Sequence, residues 1–559
     1  MAIRKKRGQP GEQQTLVAVV LMLTVMWVWS TFIAPPVPVE APAGDEVVVS
    51  TPLTAESGST TTTGAAPAAA PTSAPERTLA FSTEAVDATF TTAGGGLRGV
   101  VLPEHRGAFK VTPIWSHAIG LVTGSAEGDW DPWGEEPEPE HIVSEAGLFL
   151  ASGSGAFAPV AFELRSESPL SAVSSLPGGL RIEQTLRRTA DPERLEVTLR
   201  FENGGTSEWV QPRWVGALDV FEGESGRYQN VMRPVGFADG DLETLAKLSD
   251  VEDGPKIFQG AVSWLGIADR YFLAAFMPAE ADWGTLQFGQ SPDGRQGAFL
   301  VRSNALSPGE AEVVELEVYI GSKQYDELGE LGHDLEKSVD FGFFGLFARI
   351  LLTVLKLYHS LVGNWGLAII LLTVTVKLAF FPLTQKSFAS SRAMQRLQPE
   401  IAKLKEKHGE DPQAMGQAQM ELFKQEGVNP LAGCLPMVVQ MPVWFALYSV
   451  LLTASEVYHA EFLYLKDLSS VDPLGVFPFV VGLLMILQQR IQPMSASMDP
   501  LQQKMIRLMP LVFTIFIFAF PSGLAVYILV NTSLSIFQMW LINRANPLPV
   551  APQPAIQAE

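Results

Sequence analysis

Polar and apolar residues follow three different patterns along this chain. Residues 16–33 are uncharged and largely apolar, about long enough to span a bilayer as a helix, and follow Arg4, Lys5, Lys6 and Arg7. From about residue 77 to residue 332 the period is two. Between Arg194 and Phe201, Leu195, Val197, Leu199 and Phe201 take one face and polar residues the other, before the turn Asn203-Gly204-Gly205. Similar runs at 179–186, 297–302 and 312–320 predict a large antiparallel β-sandwich over residues 77–335. Beyond it lie long apolar runs at 361–383, 434–453, 473–487, 508–520 and 524–542, the last two joined by Pro521-Ser522-Gly523. With the first run they predict six membrane spans. The run 508–520 has 13 residues, about 20 Å of helix against a hydrocarbon core of about 30 Å, which calls for local thinning or shielding.

Two further segments have amphipathic periodicity. In 336–360, Gly345, Arg349, Thr353, Lys356 and Ser360 form one polar face on an otherwise apolar helix, the pattern of an interfacial helix. In 384–432, seven basic and six acidic residues surround a narrow stripe of Met394, Leu397, Ile401 and Leu404. Gly409, then Asp411 as N-cap and Pro412 as first helical residue, restart a second helix ending near Gly427. Residues 385–427 therefore read as a charged helical hairpin in water. Residues 35–76, rich in Pro, Ala, Ser and Thr, are expected to be a tether, and 546–559 a short flexible tail.

Charge separates the two halves. Of 39 basic and 60 acidic residues, 16 and 14 lie from Glu336 onward, leaving 23 and 46 before it. A strongly acidic chain is a poor sequence-specific nucleic-acid binder. One cysteine, Cys434, excludes an intrachain disulfide framework and a cysteine-rich metal site. A basic N-terminus followed by a span places that terminus in the cytoplasm, the acidic domain outside, and the hairpin, the segment 488–507 and Arg544 inside, in agreement with loop basicity. A cleaved signal peptide ending near Ala41-Pro42-Ala43 is the alternative to an uncleaved anchor over residues 1–34. The anchor is favoured because the apolar run exceeds an ordinary signal core.

The informative residues are the polar ones inside the apolar runs. Lys377 lies four after Thr373, on the same helical face, near the cytoplasmic end. It reads equally as a groove charge or as a side chain snorkelling to headgroups. Tyr527, Asn531, Ser535 and Gln538 recur at spacings of four, four and three, and Gln440 in a neighbouring run is able to join them. Such a face means a wet cavity or tight helix pairing. His105, His117, His141 and His333 lie outside any recognisable carboxylate cluster and read as packed or solvated side chains. No phosphate-binding glycine loop or metal cluster is visible.

Gly363-Asn-Trp-Gly366, Phe381-Pro-Leu-Thr384, Asn429-Pro-Leu-Ala-Gly-Cys-Leu-Pro-Met-Val-Val-Gln-Met-Pro442, Asp499-Pro-Leu-Gln-Gln-Lys-Met505 and Phe520-Pro-Ser-Gly523 resemble, in order over about residues 340–545, the YidC/Oxa/Alb membrane protein insertases. The extra first span and external domain resemble the long YidC form of Gram-negative bacteria, whose periplasmic domain is a β-supersandwich. The resemblance implies a polytopic inner-membrane protein with a five-helix core at 361–545. The core encloses a hydrophilic groove open to cytoplasm and lipid and closed outside. It implies an insertase and folding chaperone, with no enzymatic step, cofactor or metal. Its expected partners are nascent membrane proteins, lipids, and the Sec translocon, ribosome and targeting receptor. By position, Lys377 takes a place usually held by Arg, keeping the charge without the planar fork. Thr373 and Gln440 match groove residues, while Tyr527 matches the first of two adjacent tyrosines and Ile528 stands at the second. No Lys or Arg follows Arg544, where some relatives carry a basic ribosome-binding tail. The competing readings are a small-solute transporter, which is expected to show repeated halves, and a membrane-tethered carbohydrate-binding or carbohydrate-active protein built on the sandwich.

Overall fold

The alternation of apolar and polar residues is realised as sheet. The computed structural model describes residues 76–106, 111, 114, 137–151, 157–210, 212–219, 232–245, 251, 254–290, 295–408, 411–428, 435–491 and 500–545. The first expected span, the linker up to residue 75, the tail and His117 lie outside them. Within the described residues the β-region forms two nine-stranded sheets in which every pairing is antiparallel. The period-two run is strand Arg194–Asn203, flanked by Leu180–Arg188 and Ala311–Ser322. Ile182 stands opposite Phe201, and Leu195 opposite Val318. All four are buried, each contributing about 1.5–3 kcal/mol relative to exposure. The other sheet centres on Pro139–Ala151, Arg213–Asp219 and Gln296–Arg302. Its Val143 and Val215 meet Leu186, Leu199 and Leu316 of the first sheet in one apolar interior. Fully buried Arg213 ties the sheets together: its Nη2 lies 2.9 Å from Glu312, whose other oxygen lies 2.9 Å from Arg302 Nε. His105 packs its ring against Phe272.

Helix α1 (Tyr325–Leu331) and short 3-10 turns at Leu335–Ser338 and Gly342–Phe344 follow the last strand. The described residues divide into two compact units near Val339, and Ile114 belongs with the second, donating its N–H to the Pro473 carbonyl at 2.8 Å.

The second unit is helical. It comprises α2 (Gly345–Val362), α3 (Trp365–Ala379), α4 (Phe381–Arg396), α5 (Gln398–His408), α6 (Pro412–Gln425), α7 (Leu435–Thr453), α8 (Val476–Ile491), α9 (Pro500–Ile517) and α10 (Ser522–Ala545). Asn364 caps α3 by accepting from Leu367 N–H, and Asp411 caps α6 by accepting from Gln413 and Ala414, as the Asp-Pro signal predicts. Helix α10 packs against α3, α7 and α8, and α2 against α3 and α7. A Cβ at Gly482 would meet Thr514 Oγ1 at 2.5 Å, so glycine is what allows α8 and α9 their close approach.

Three expectations change. The run 361–383 is not one straight helix: α3 ends at Ala379, and α4 leaves it at 57°. Pro382 lacks the N–H that would continue the hydrogen-bond ladder of α3, and it sits instead in the first turn of α4, where that N–H is not needed. The run 508–520 belongs to a longer helix, α9, of 18 residues, about 27 Å at 1.5 Å per residue. The added first turns carry Gln503, Lys504 and Arg507, so the apolar part of α9 is no longer than the run itself. By length and composition, Gly342–Val362 and Ser522–Ile542 are each able to cross a membrane, and the bent pair α3 and α4 is a third candidate. The segments Val439–Thr453 and Val476–Ile491 are shorter apolar helices. Helix α2 buries Ala348, Leu351, Leu352 and Leu355 while Leu346, Ile350, Leu357 and Leu361 stay exposed. Its polar stripe therefore runs between two apolar faces.

In the hairpin, Leu397, Ile401 and Phe423 form a small core with Met394, Met415, Leu422 and Val428 around it. Met394, Leu397 and Ile401 of the stripe read from the sequence are in it, extended by α6, whereas Leu404 is only half-buried and outside it.

Candidate functional site

Tyr527, Asn531, Ser535 and Gln538 fall on one face of α10 because three- and four-residue steps return to the same side of a helix. Phe537, Trp540 and Leu541 occupy the exposed outer side, with the Arg544 guanidinium over the Trp540 ring. The polar face meets two neighbouring helices. Lys377, in the last turn of α3 where a cation complements the helix dipole, donates from Nζ to Ser535 Oγ at 2.7 Å. Ser535 passes its own proton back to the Asn531 carbonyl at 2.7 Å. About two turns toward the α10 N-terminus, Gln440 of α7 donates Nε2 to Tyr527 Oη at 2.5 Å. Tyr527 is 1% exposed and Gln538 7%, whereas Lys377, Asn531 and Ser535 are half-buried.

The sequence-selected residues thus gather, with one exception in role. Thr373 is fully buried and returns its hydroxyl to the Ile369 carbonyl of its own helix at 2.6 Å, so it satisfies itself rather than reaching across. The Lys377 ammonium turns inward to α10. Asn531 Oδ1 and Gln538 Nε2 are buried and have no hydrogen-bond partner among the described residues. Leaving a buried polar group unpaired costs a few kcal/mol.

Sequence reading passed over the residues at the other end of α10. In the segment between α7 and α8, Asp467 and Asp472 are buried. Asp472 accepts from Leu474, Gly475 and Phe477 N–H and from Tyr464 Oη, capping α8. Burial pushes the Tyr464 hydroxyl well above its usual range. Lys356 Nζ of α2 lies 2.5 Å from Glu456 Oε1, and Glu456 is 6% exposed. The turn-forming Asp467-Leu-Ser-Ser and Asp472-Pro-Leu-Gly sequences are the signals that mark the two aspartates. No group of three or more His, Cys, Asp or Glu side chains is placed to hold a metal ion among the described residues.

Comparison with known proteins also divides the chain in two, but within α2 rather than near Val339. Residues 357–548 match the family described as the 60Kd inner membrane protein, and residues 138–354 match the YidC periplasmic domain. The membrane protein insertase YidC of Geotalea daltonii is 34% identical over 557 residues, 96% of this chain and all of that protein. The protein of the same name from Anaeromyxobacter sp. (strain K) is 37% identical over 499 residues, 86% of this chain and 87% of its own. A crystal structure of an active YidC insertase with its first transmembrane domain resolved aligns with 94% of this chain and 99% of its own, at 17% identity and a TM-score of 0.36.

Proposed function

The chain belongs to the YidC family of membrane protein insertases, being 34% identical to one member over almost its whole length, and on that premise we propose how its helical unit carries out insertion. It is an inner-membrane protein with a periplasmic domain, and its clients are nascent membrane proteins. Insertion is a transfer between phases and calls for no covalent step. The transporter and carbohydrate readings find no support in these relatives.

The observation that carries the mechanism is the polar face of α10, with Lys377 and Gln440 bonded to it and Asn531 Oδ1 and Gln538 Nε2 left unpartnered. In hydrocarbon each such group costs several kcal/mol; in a wet groove it costs far less and remains available to a guest. In our reading Thr373, Lys377, Gln440, Tyr527, Asn531, Ser535 and Gln538 line a groove open to cytoplasm and lipid. Lys377 attracts an acidic hydrophilic segment and offsets part of its desolvation cost, while Ser535 holds the ammonium when no client is present. The client's apolar segment leaves into lipid past the exposed outer faces.

Around this groove we place five core spans within 361–545 and a sixth in residues 1–34, with both termini cytoplasmic. The interfacial helix occupies 336–360, the periplasmic domain 77–335, a tether 35–76 and a tail 546–559. The hairpin 385–427 is the docking surface for ribosome, targeting receptor or nascent chain, and the Sec translocon is a further partner. The test is insertion of a small single-span client with an acidic external tail into liposomes holding only this protein. Insertion above protein-free liposomes is expected; equal insertion with and without it would contradict the reading.

A further inference from the structure

We infer that Asp467, buried between α7 and α8, is a positioning residue that sets the register of α10 and so places its polar face against α3 and α7. The Asp467 carboxylate is 0% exposed and gathers its own segment around itself. Oδ1 accepts from His459 N–H at 3.1 Å, Ser469 N–H at 2.8 Å and Ser469 Oγ at 2.7 Å, and Oδ2 accepts from Ser470 Oγ at 2.5 Å. The fold it holds is not one the backbone adopts unaided. His459 and Leu463 have φ of 57° and 56°, a left-handed conformation that side-chain-bearing residues avoid. Phe462 and Leu465 close the turn between them with a reciprocal pair of N–H to carbonyl bonds.

The gathered segment presents its carbonyls to the start of α10. Ser522 N–H donates to Ser470 at 2.7 Å and Gly523 N–H to Leu468 at 2.8 Å. Ser522 Oγ donates to the Asp467 carbonyl itself at 3.0 Å. The first amides of a helix have no acceptor within it. In α10 they take the main chain of this segment, which fixes both the depth and the rotation of the helix. Ser522 is 0% exposed, so the contact excludes competing water. A slip by one residue would turn the polar face by about 100° and move it about 1.5 Å along the axis. That would part Lys377 from Ser535 and Gln440 from Tyr527. Asp467 touches none of these four residues and acts on them through Ser522 and Gly523.

Two cysteine-pair rulers in a Cys434→Ser background test this, each bridged by a short flexible thiol-to-thiol cross-linker because the native contacts join the tips of long side chains. The first pairs Lys377→Cys with Ser535→Cys and reads α3 against α10; the second pairs Tyr358→Cys with Thr375→Cys, whose native hydroxyls lie 2.6 Å apart, and reads α2 against α3. Adding Asp467→Ala is expected to slow cross-linking of the first pair by about tenfold or more, since it removes all four hydrogen bonds that the carboxylate accepts and one bond to a charged group alone corresponds to about tenfold. The second pair should cross-link at its original rate, and Asp467→Asn, which keeps the Oδ1 acceptor, should restore most of the first. Unchanged cross-linking of the first pair, or equal slowing of both, would overturn the inference, the latter because it reports general loosening. If the alanine variant does not accumulate, Ser522→Ala gives the reading: selective slowing of the first pair supports the inference, and no change overturns it. Neither ruler depends on clients touching the face, so failure here is separate from failure of the proposed groove.

Discussion

Lys377 Nζ donates to Ser535 Oγ across the α3–α10 contact at 2.7 Å, and Ser535 donates onward to the Asn531 carbonyl. A neutral hydroxyl does not offset a cation as a carboxylate would, so the Lys377 side chain has no counter-charge in this hydrogen bond. Lys377→Arg is therefore expected to preserve insertion. Lys377→Glu should impair clients with acidic external segments, by about tenfold or more if one hydrogen bond to a charged group is replaced by repulsion. Insertion rates for acidic and neutral versions of one client check this, and equal rates with the Glu variant would refute the groove charge.

The hairpin is held by Leu397, Ile401, Phe423 and their neighbours and exposes most of its other side chains. Removing residues 398–428 should abolish insertion while the remaining protein still integrates into the membrane. Membrane fractionation combined with the client assay separates the two effects, and full activity of the shortened protein would sink the docking role.

The Lys356–Glu456 pair fastens α2 to the segment after α7. The Glu456 side chain is almost fully buried, so Glu456→Ala removes one bond between charged groups and should cost about 2 kcal/mol. The double change Lys356→Met with Glu456→Leu should recover much of that. Thermal unfolding in detergent is the readout; a Glu456→Ala protein as stable as the parent would show the pair to be dispensable.

The periplasmic domain has its own pH dependence. Burial, with further repulsion from Glu327 and Asp191, pushes the Glu193 carboxyl up to about 7 from 4.5. The folded state thus holds a proton that the unfolded state releases between these values, so stability falls as pH rises from about 4.5 to about 7 and levels off above. Glu193→Gln should remove that slope. Hydrogen exchange in strands Arg194–Asn203 and Ala311–Ser322 of the full-length protein measures it, and an unaltered slope would assign the effect to another group.

What the sequence discloses is set by how far each signal repeats. The strand at Arg194–Asn203 is legible because four apolar residues alternate without interruption, and the polar face of α10 because four polar residues recur along one apolar helix. The break between α3 and α4 is hidden because apolar residues continue through Phe380 and Phe381, so hydropathy outweighs the Pro382 signal. The start of α9 is hidden for the opposite reason: Gln503, Lys504 and Arg507 interrupt apolarity though Pro500 already opens the helix. Asp467 and its partners are single residues in a loop, and only the folded chain shows which donors they meet.

The central claim is that the polar face of α10 is wet and open to the cytoplasm. Cysteines placed singly at 527, 531, 535 and 538 in a Cys434→Ser background, probed with a membrane-impermeant thiol reagent, test it most directly. The account predicts reaction from the cytoplasmic side, strongest at 538 and 535 and fading toward 527 near Pro521. Uniformly unreactive positions in a protein that still inserts clients would contradict it, and would make the face a seam of helix packing.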